Sequence, residues 1–373
     1  MTFSLRCPRI LPSVGLLCLA LLAITKPSAA QKFAYVTNHD SNNVSAYGIN
    51  ANGSLTLVPG SPFPTGNPLW PSPSSVAVDP TGQFVYVVGG NNSGKVSAYK
   101  IVSTPPGALM LVGTQPAGAN PLSVAVDPDG QFVYVGHRGR DGPTTSEVWA
   151  YTINADGSLT PVPCSPFPAG GSPGSVAVDP TGQFVYVGHT SFYFSNTISA
   201  YVIKRLGGLV PLGGLPGAGW QLTVDPTGQF LYVANGGGVS AYRIDFCTGA
   251  LTFVGTYSTG LDAFSVAVDP TGQFVYVVNG GNNNVSAFTI NGNGSLTVVA
   301  GSPFANHPGG SGAYSVAVDS TGSFVYVTNV VSNNVSAYQI DTIGNTGALT
   351  KVPGSPFANA PSTRGAFSVA TTP

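Results

Sequence analysis

Apolar and polar positions along this chain come in short bursts that return every 44 to 52 residues. The clearest marker is Phe-x-Tyr-Val, beginning at Phe33, Phe84, Phe132, Phe184, Phe230, Phe274 and Phe324. A second run follows each copy: VSAY at 44, 96, 239 and 335, VWAY at 148, ISAY at 198 and VSAF at 285. Then comes a Ser-Leu-Thr or related run, as in SLTLVPGSPF from 54 and SLTVVAGSPF from 295. Every Phe-x-Tyr-Val except the first is preceded by SVAVDP or a variant such as QLTVDP at 221. A period of this size marks a repeat architecture. Four β-branched or aromatic runs per period, separated by turn residues, are strand chemistry.

The four runs differ in polarity, and that orders them in space. SVAV and FVYV are apolar on both faces, as strands buried on both sides are. The fourth run carries Pro59, Pro163 and Pro353, and proline belongs at an edge, where its missing N–H is not needed. SVAV is therefore the inner strand and the Ser-Leu-Thr run the outer one. Asp79-Pro80-Thr81-Gly82 and its five relatives fit type I turns between the first two strands. One carboxylate per turn falls far short of the 6–8 oxygens calcium takes. The repeat starts at Phe33 with no inner strand before it and stops at Ser368–Thr371 with no second strand after it. The expected fold is an all-β, seven-bladed β-propeller of four-stranded antiparallel blades, its ring closed by the C-terminal strand pairing with the N-terminal ones.

Composition narrows the setting. Only 7% of residues are charged, against about 25% in an ordinary domain. Residues 1–30 read as a secretory signal: Arg6 and Arg9, an apolar run from Val14 to Ile24, then Pro27-Ser28-Ala29-Ala30. Leu16 and Leu17 are too large to precede a lipid-bearing Cys18. The chain is thus expected to be exported, to the periplasm or beyond the cell, with 31–373 forming one propeller. Residues 1–30 hold three of the 13 Lys and Arg and none of the 14 Asp and Glu, leaving a net charge of −4. No basic patch points to nucleic acid, and no segment is expected to span a membrane. Cys164 and Cys247 fall in non-adjacent blades, so free thiols are expected.

Tyr35-Val36-Thr37-Asn38 and Tyr326-Val327-Thr328-Asn329 spell the tetrapeptide of the YVTN-repeat propellers. Through it the chain resembles the lactonase family of seven-bladed propellers, which includes 6-phosphogluconolactonase. That resemblance covers 31–373 and implies the fold. It implies activity weakly, because the shared motifs are strand and turn residues, and the resemblance also implies a His that is often found just before the inner strand. Here those positions hold Ser74, Leu122, Gly174, Trp220, Phe264, Tyr314 and Phe367.

Departures from the repeat are the candidates for function. The loops between second and third strands are longest in blade 3 (136–147) and blade 4 (188–197). They carry His137, Arg138, Arg140, Asp141, Glu147, His189 and Phe192-Tyr193-Phe194. His39, Asp40, Asp262, His307 and Arg364 fall on loops of the same upper face. A lactone hydrolase could use His137 or His189 as general base, with Arg138 or Arg140 holding the oxyanion. A glycosidase would need Glu147, the sole glutamate, paired with a loop aspartate such as Asp141. A zinc site from His39, His137 and His189 lacks ligand spacing, and no cofactor motif is present. Trp220, Phe264, Tyr314 and Phe367 either line the channel mouth as a shelf for a sugar or lactone ring, or plug it. Two functions follow: a monomeric binding or scaffold module for a small molecule, glycan or protein, or a lactonase-like hydrolase.

Overall fold

The computed structural model describes residues 31–66, 72–139, 146–190, 197–217, 219–361 and 363–373. The proposed signal over 1–30 lies outside them. Each repeat folds into one antiparallel blade, and the chain closes as its repeats require. In blade 1 the order is Leu55–Leu57, Asn43–Ile49, Lys32–Asn38 and the C-terminal Ala366–Thr371. Tyr35 pairs with Ala370 and Val36 with Val369. The inner strands Pro73–Val78, Pro121–Val126, Pro173–Val178, Gln221–Val224 and Ala313–Val318 complete the ring with Ala366–Thr371 and the second half of Leu251–Val268. Each touches the next around the axis. Leu251–Val268 is outer strand to blade 5 and inner strand to blade 6, so seven blades form six hydrogen-bonded sheets.

The repeated residues are explained by corners and clasps. Asp79 O accepts from Gly82 N–H at 2.9 Å, closing the expected turn. Its side-chain Oδ1 also accepts the N–H groups of Gln83 (2.7 Å) and Phe84 (2.6 Å), and Oδ2 that of Thr81 (3.1 Å). The carboxylate thus satisfies backbone donors that the corner leaves without ladder partners.

Phe-x-Tyr-Val holds blades to one another. The tyrosine hydroxyl donates to a turn glycine of the following blade: Tyr35 to Gly107, Tyr86 to Gly157, and so on to Tyr326, which reaches Gly53 and closes the circle. The phenylalanine two residues earlier lies under that same glycine. A Cβ on Gly157 would sit 2.2 Å from the Phe84 ring, and its φ is +85°. No other residue fits there. The third-strand tyrosines reach back to the preceding blade, Tyr99 to Pro64 O at 2.7 Å and Tyr47 to Asn359 Oδ1 at 2.9 Å.

The outer edges are of two kinds. Blades 1, 3, 6 and 7 end in a three-residue strand, a Ser-Pro turn and a two-residue strand such as Phe63–Pro64, which rejoins the third strand at Asn43 and Val44. Blades 2 and 4 each have a single longer outer strand, Pro106–Pro116 and Leu209–Pro216, bulged at Val112 and Leu212. Cys164 and Cys247 are free and exposed. Among the described residues no helix is long and apolar enough to cross a membrane.

Candidate functional site

A break in register creates the site. In blade 2, Pro73 pairs with Gly89 and Ser75 with Val88, leaving Ser74 as an extra residue. The same bulge leaves out Leu122, Gly174, Phe264 and Tyr314 in blades 3, 4, 6 and 7. In blade 1 it falls between Val36 and Asn38 and leaves out Phe367. Bulges re-aim side chains, and here each extra residue lines the upper channel mouth. Blade 5 has no bulge, and Trp220 stands just ahead of its inner strand, its N–H donating to Ala234 O at 2.8 Å.

The mouth opens into a cavity of about 260 Å3. Its two halves differ. On the side of blades 5, 6, 7 and 1, rings follow one another in contact. Trp220 meets Phe264 with centroids 5.7 Å apart, Phe264 meets Tyr314 at 5.3 Å, and Tyr314 meets Phe367 at 4.1 Å. His39 then stacks on Phe367 at 5.1 Å. Burial pushes the Tyr314 phenol up to about 12. The opposite side is lined by Ser74, Leu122, Gly174, Thr190 and Arg138.

Below the rim lies a second tier, which the sequence reading treated only as strand. It is the residue that follows the rim residue in each blade: a serine in six blades and Gln221 in blade 5. Ser75, Ser123, Ser175 and Ser265 each accept an N–H from the next blade, at 3.3, 3.0, 3.2 and 3.0 Å. Gln221 Oε1 accepts Val266 N–H at 2.9 Å. One polar residue at the head of each apolar SVAV run was the available signal.

The structure places the other candidates as follows. Arg138 lines the cavity, and no described carboxylate pairs with it. His137 is buried behind the wall, with Nε2 2.9 Å from Glu147 Oε2 and Nδ1 3.2 Å from Ala119 O. His189 is buried too, its Nε2 2.8 Å from Ser199 Oγ. Burial pushes its pKa down to about 4, so the ring is neutral at ordinary pH. His307 is held by Ala337 O at 3.0 Å, and burial lowers its pKa as well. His39 Nδ1 lies 2.9 Å from Asp40 Oδ1 at the rim. Arg364 contributes its backbone oxygen to Asp40 N–H at 3.3 Å, and its side chain does not line the cavity. Arg140, Asp141 and Phe192-Tyr193-Phe194 lie outside the described residues. Among the described residues no three His, Cys, Asp or Glu side chains converge as metal ligands.

Comparison with known proteins fits this geometry. The family described as "Lactonase, 7-bladed beta-propeller" matches residues 23–124, 69–163, 123–214, 145–267, 217–300 and 263–363. No curated protein matches the sequence. The periplasmic gluconolactonase of Pseudomonas aeruginosa superposes with a TM-score of 0.72 at 19% identity, over 92% of this chain and 99% of that one. A protein from Lactobacillus plantarum gives 0.72 at 20% identity, over 92% and 100%. The Kuenenia stuttgartiensis hydrazine synthase gives 0.60 at 18%, over 82% and 92%. These structures share the fold. The family match runs almost end to end along the ring of blades, and the chain belongs to the lactonase family of seven-bladed β-propellers.

Proposed function

We propose that this chain is an exported binding propeller whose upper channel mouth receives a small ring-shaped ligand. The observation that carries the reading is the arc of Trp220, Phe264, Tyr314 and Phe367 facing a polar wall across one cavity open at the channel mouth. Aromatic faces hold the apolar face of a sugar or lactone ring, and the polar wall takes its hydroxyls. Among the described residues the lining holds no carboxylate and no imidazole. Isothermal titration against a panel of monosaccharides and sugar acids tests the reading. Phe264→Ala and Tyr314→Ala should each weaken binding about tenfold or more, the scale of losing a stacked ring. Unchanged affinity in both would remove the aromatic arc from the site.

A second reading, lactone hydrolysis, is favoured by the gluconolactonase named among the similar structures. Arg138 would hold the developing oxyanion, and His137 or His189 would have to leave its present partner to reach water. Turnover of sugar lactones that His137→Ala or His189→Ala abolishes would overturn the binding-only reading. Export over 1–30 is tested by N-terminal sequencing of the secreted protein, with Gln31 as the expected first residue, and the monomer by sedimentation.

A further inference from the structure

The second tier of the cavity presents hydrogens. Ser75, Ser123, Ser175 and Ser265 each spend one oxygen lone pair on a backbone N–H of the next blade. A hydroxyl has one hydrogen and two lone pairs. No described residue accepts the hydrogen of any of the four. Ser175 and Ser265 are only 2% and 3% exposed, so what exposure remains faces the cavity they line. The bond from Val266 to Gln221 Oε1 fixes the orientation of that amide and leaves its two N–H donors over. Ser315 and Ser368 Oγ and the Tyr314 hydroxyl line the same space and bond to no described residue. Above them stands Arg138, the lone full charge in the described lining. The rest of the chain is net negative, so this donor-rich spot is local rather than part of a basic surface.

Donors converging on one cavity with a guanidinium at its mouth suit an anion. Hydrogen bonds to an ionised acceptor are roughly twice as strong as neutral ones, and arginine matches a carboxylate in two-pronged fashion. The cavity of about 260 Å3 has room for one six-membered ring. Resting on the ring-binding reading above, we infer that the ligand is a ring acid: a six-membered ring held by the aromatic arc, with its carboxylate directed at the serine tier and Arg138. Sugar acids and aromatic acids share that chemistry.

The test pairs each acid with its neutral twin: D-glucuronate against D-glucose, and benzoate against benzyl alcohol, by titration calorimetry on the chain from residue 31. At least one acid should bind about tenfold tighter than its twin, the scale of one charge-assisted bond, and added salt should erode only the acid's binding. Which pair responds identifies the source of the carboxylate. Arg138→Gln, and Ser315→Ala combined with Ser368→Ala, should bring the ratio toward one. Neither serine hydroxyl holds a protein group, so the melting temperature of the double variant should match the parent. Equal binding of acid and twin would overturn the inference and leave ring binding standing. An acid preference that survives both sets of substitutions would also overturn it. Binding of none of the four at millimolar concentration would remove the ring-binding reading, and the inference with it.

Discussion

A tyrosine hydroxyl and a glycine carbonyl, repeated around the axis, join each blade to the next. Tyr86 donates to Gly157 O at 3.2 Å while Phe84 fills the space a side chain on that glycine would need. Tyr86→Phe leaves a buried carbonyl unpaired and should cost about 1–2 kcal/mol. Gly157→Ala meets both the ring and a left-handed backbone, and should cost about 3 kcal/mol or more. Denaturant unfolding of the two variants gives the order, and a smaller loss for Gly157→Ala would refute the clasp. His189 supplies a pH dependence. Its folded pKa of about 4 lies below the unfolded value, near 6.5. The unfolded chain therefore takes up the proton first, and stability falls as pH drops from about 6.5 toward 4, by up to roughly 3 kcal/mol. His189→Gln should flatten the fall of melting temperature across that window. Contributions from other groups, His307 among them, are common to both proteins and cancel in the comparison. Equal slopes would show that His189 is not held neutral. These residues also mark how far the sequence could be read. The Asp79 corner was legible, because Asp-Pro-Thr-Gly states a turn locally. The partner of Tyr86 was not, because Gly157 lies 71 positions away and nothing in the alternation of Phe-x-Tyr-Val names it.

Strands show the same division between local and distant. Four runs per repeat, the inner place of SVAV and the outer place of the proline-bearing run followed from polarity alone. The bulge that turns Ser74, Phe264 or Tyr314 into the channel did not. Its extra residue belongs to no residue type, and only pairing to the second strand reveals it. The serine tier was overlooked for a related reason: one serine before Val-Ala reads as the end of a strand until six such serines and Gln221 meet around the axis. Outer strands carry a consequence of their own. Proline turns interrupt the edges of blades 1, 3, 6 and 7, whereas Pro106–Pro116 is one eleven-residue strand, bulged at Val112, with Met110 and Leu111 half exposed. Long apolar edges invite pairing with another chain. Met110→Lys should slow heat-induced aggregation, followed by light scattering, and leave the melting temperature within about 1–2 °C of the parent, as an exposed substitution does. Aggregation at the parent rate would place the weak edge elsewhere.

For the molecule as a whole, the decisive element is the last one made. Ala366–Thr371 completes blade 1, and Thr372 caps it through Oγ1, which accepts Phe33 N–H at 2.9 Å. Every blade is gripped from both sides, so the ring has no terminal unit that can be lost alone, unlike a linear array of repeats. Removing residues 366–373 would strip the inner strand from blade 1, uncover buried Tyr35 and Val36, and part blade 7 from blade 2 along the axis. The melting temperature should drop by at least about 10 °C, since several kcal/mol are removed and each is worth roughly 2–4 °C in a chain of this size. The same segment carries Phe367, the last ring of the aromatic arc, and Ser368 of the tier beneath it. Fold and site are therefore coupled through one strand. A synthetic peptide of residues 366–373 added to the shortened chain should restore the melting temperature and the ligand binding together. A peptide in which Phe367→Ala and Ser368→Ala are made should restore the first without the second. A shortened chain that melts with the parent would mean the ring is held shut by something other than its two ends, and restoration of binding by the altered peptide would mean that the closing strand builds the fold and not the pocket.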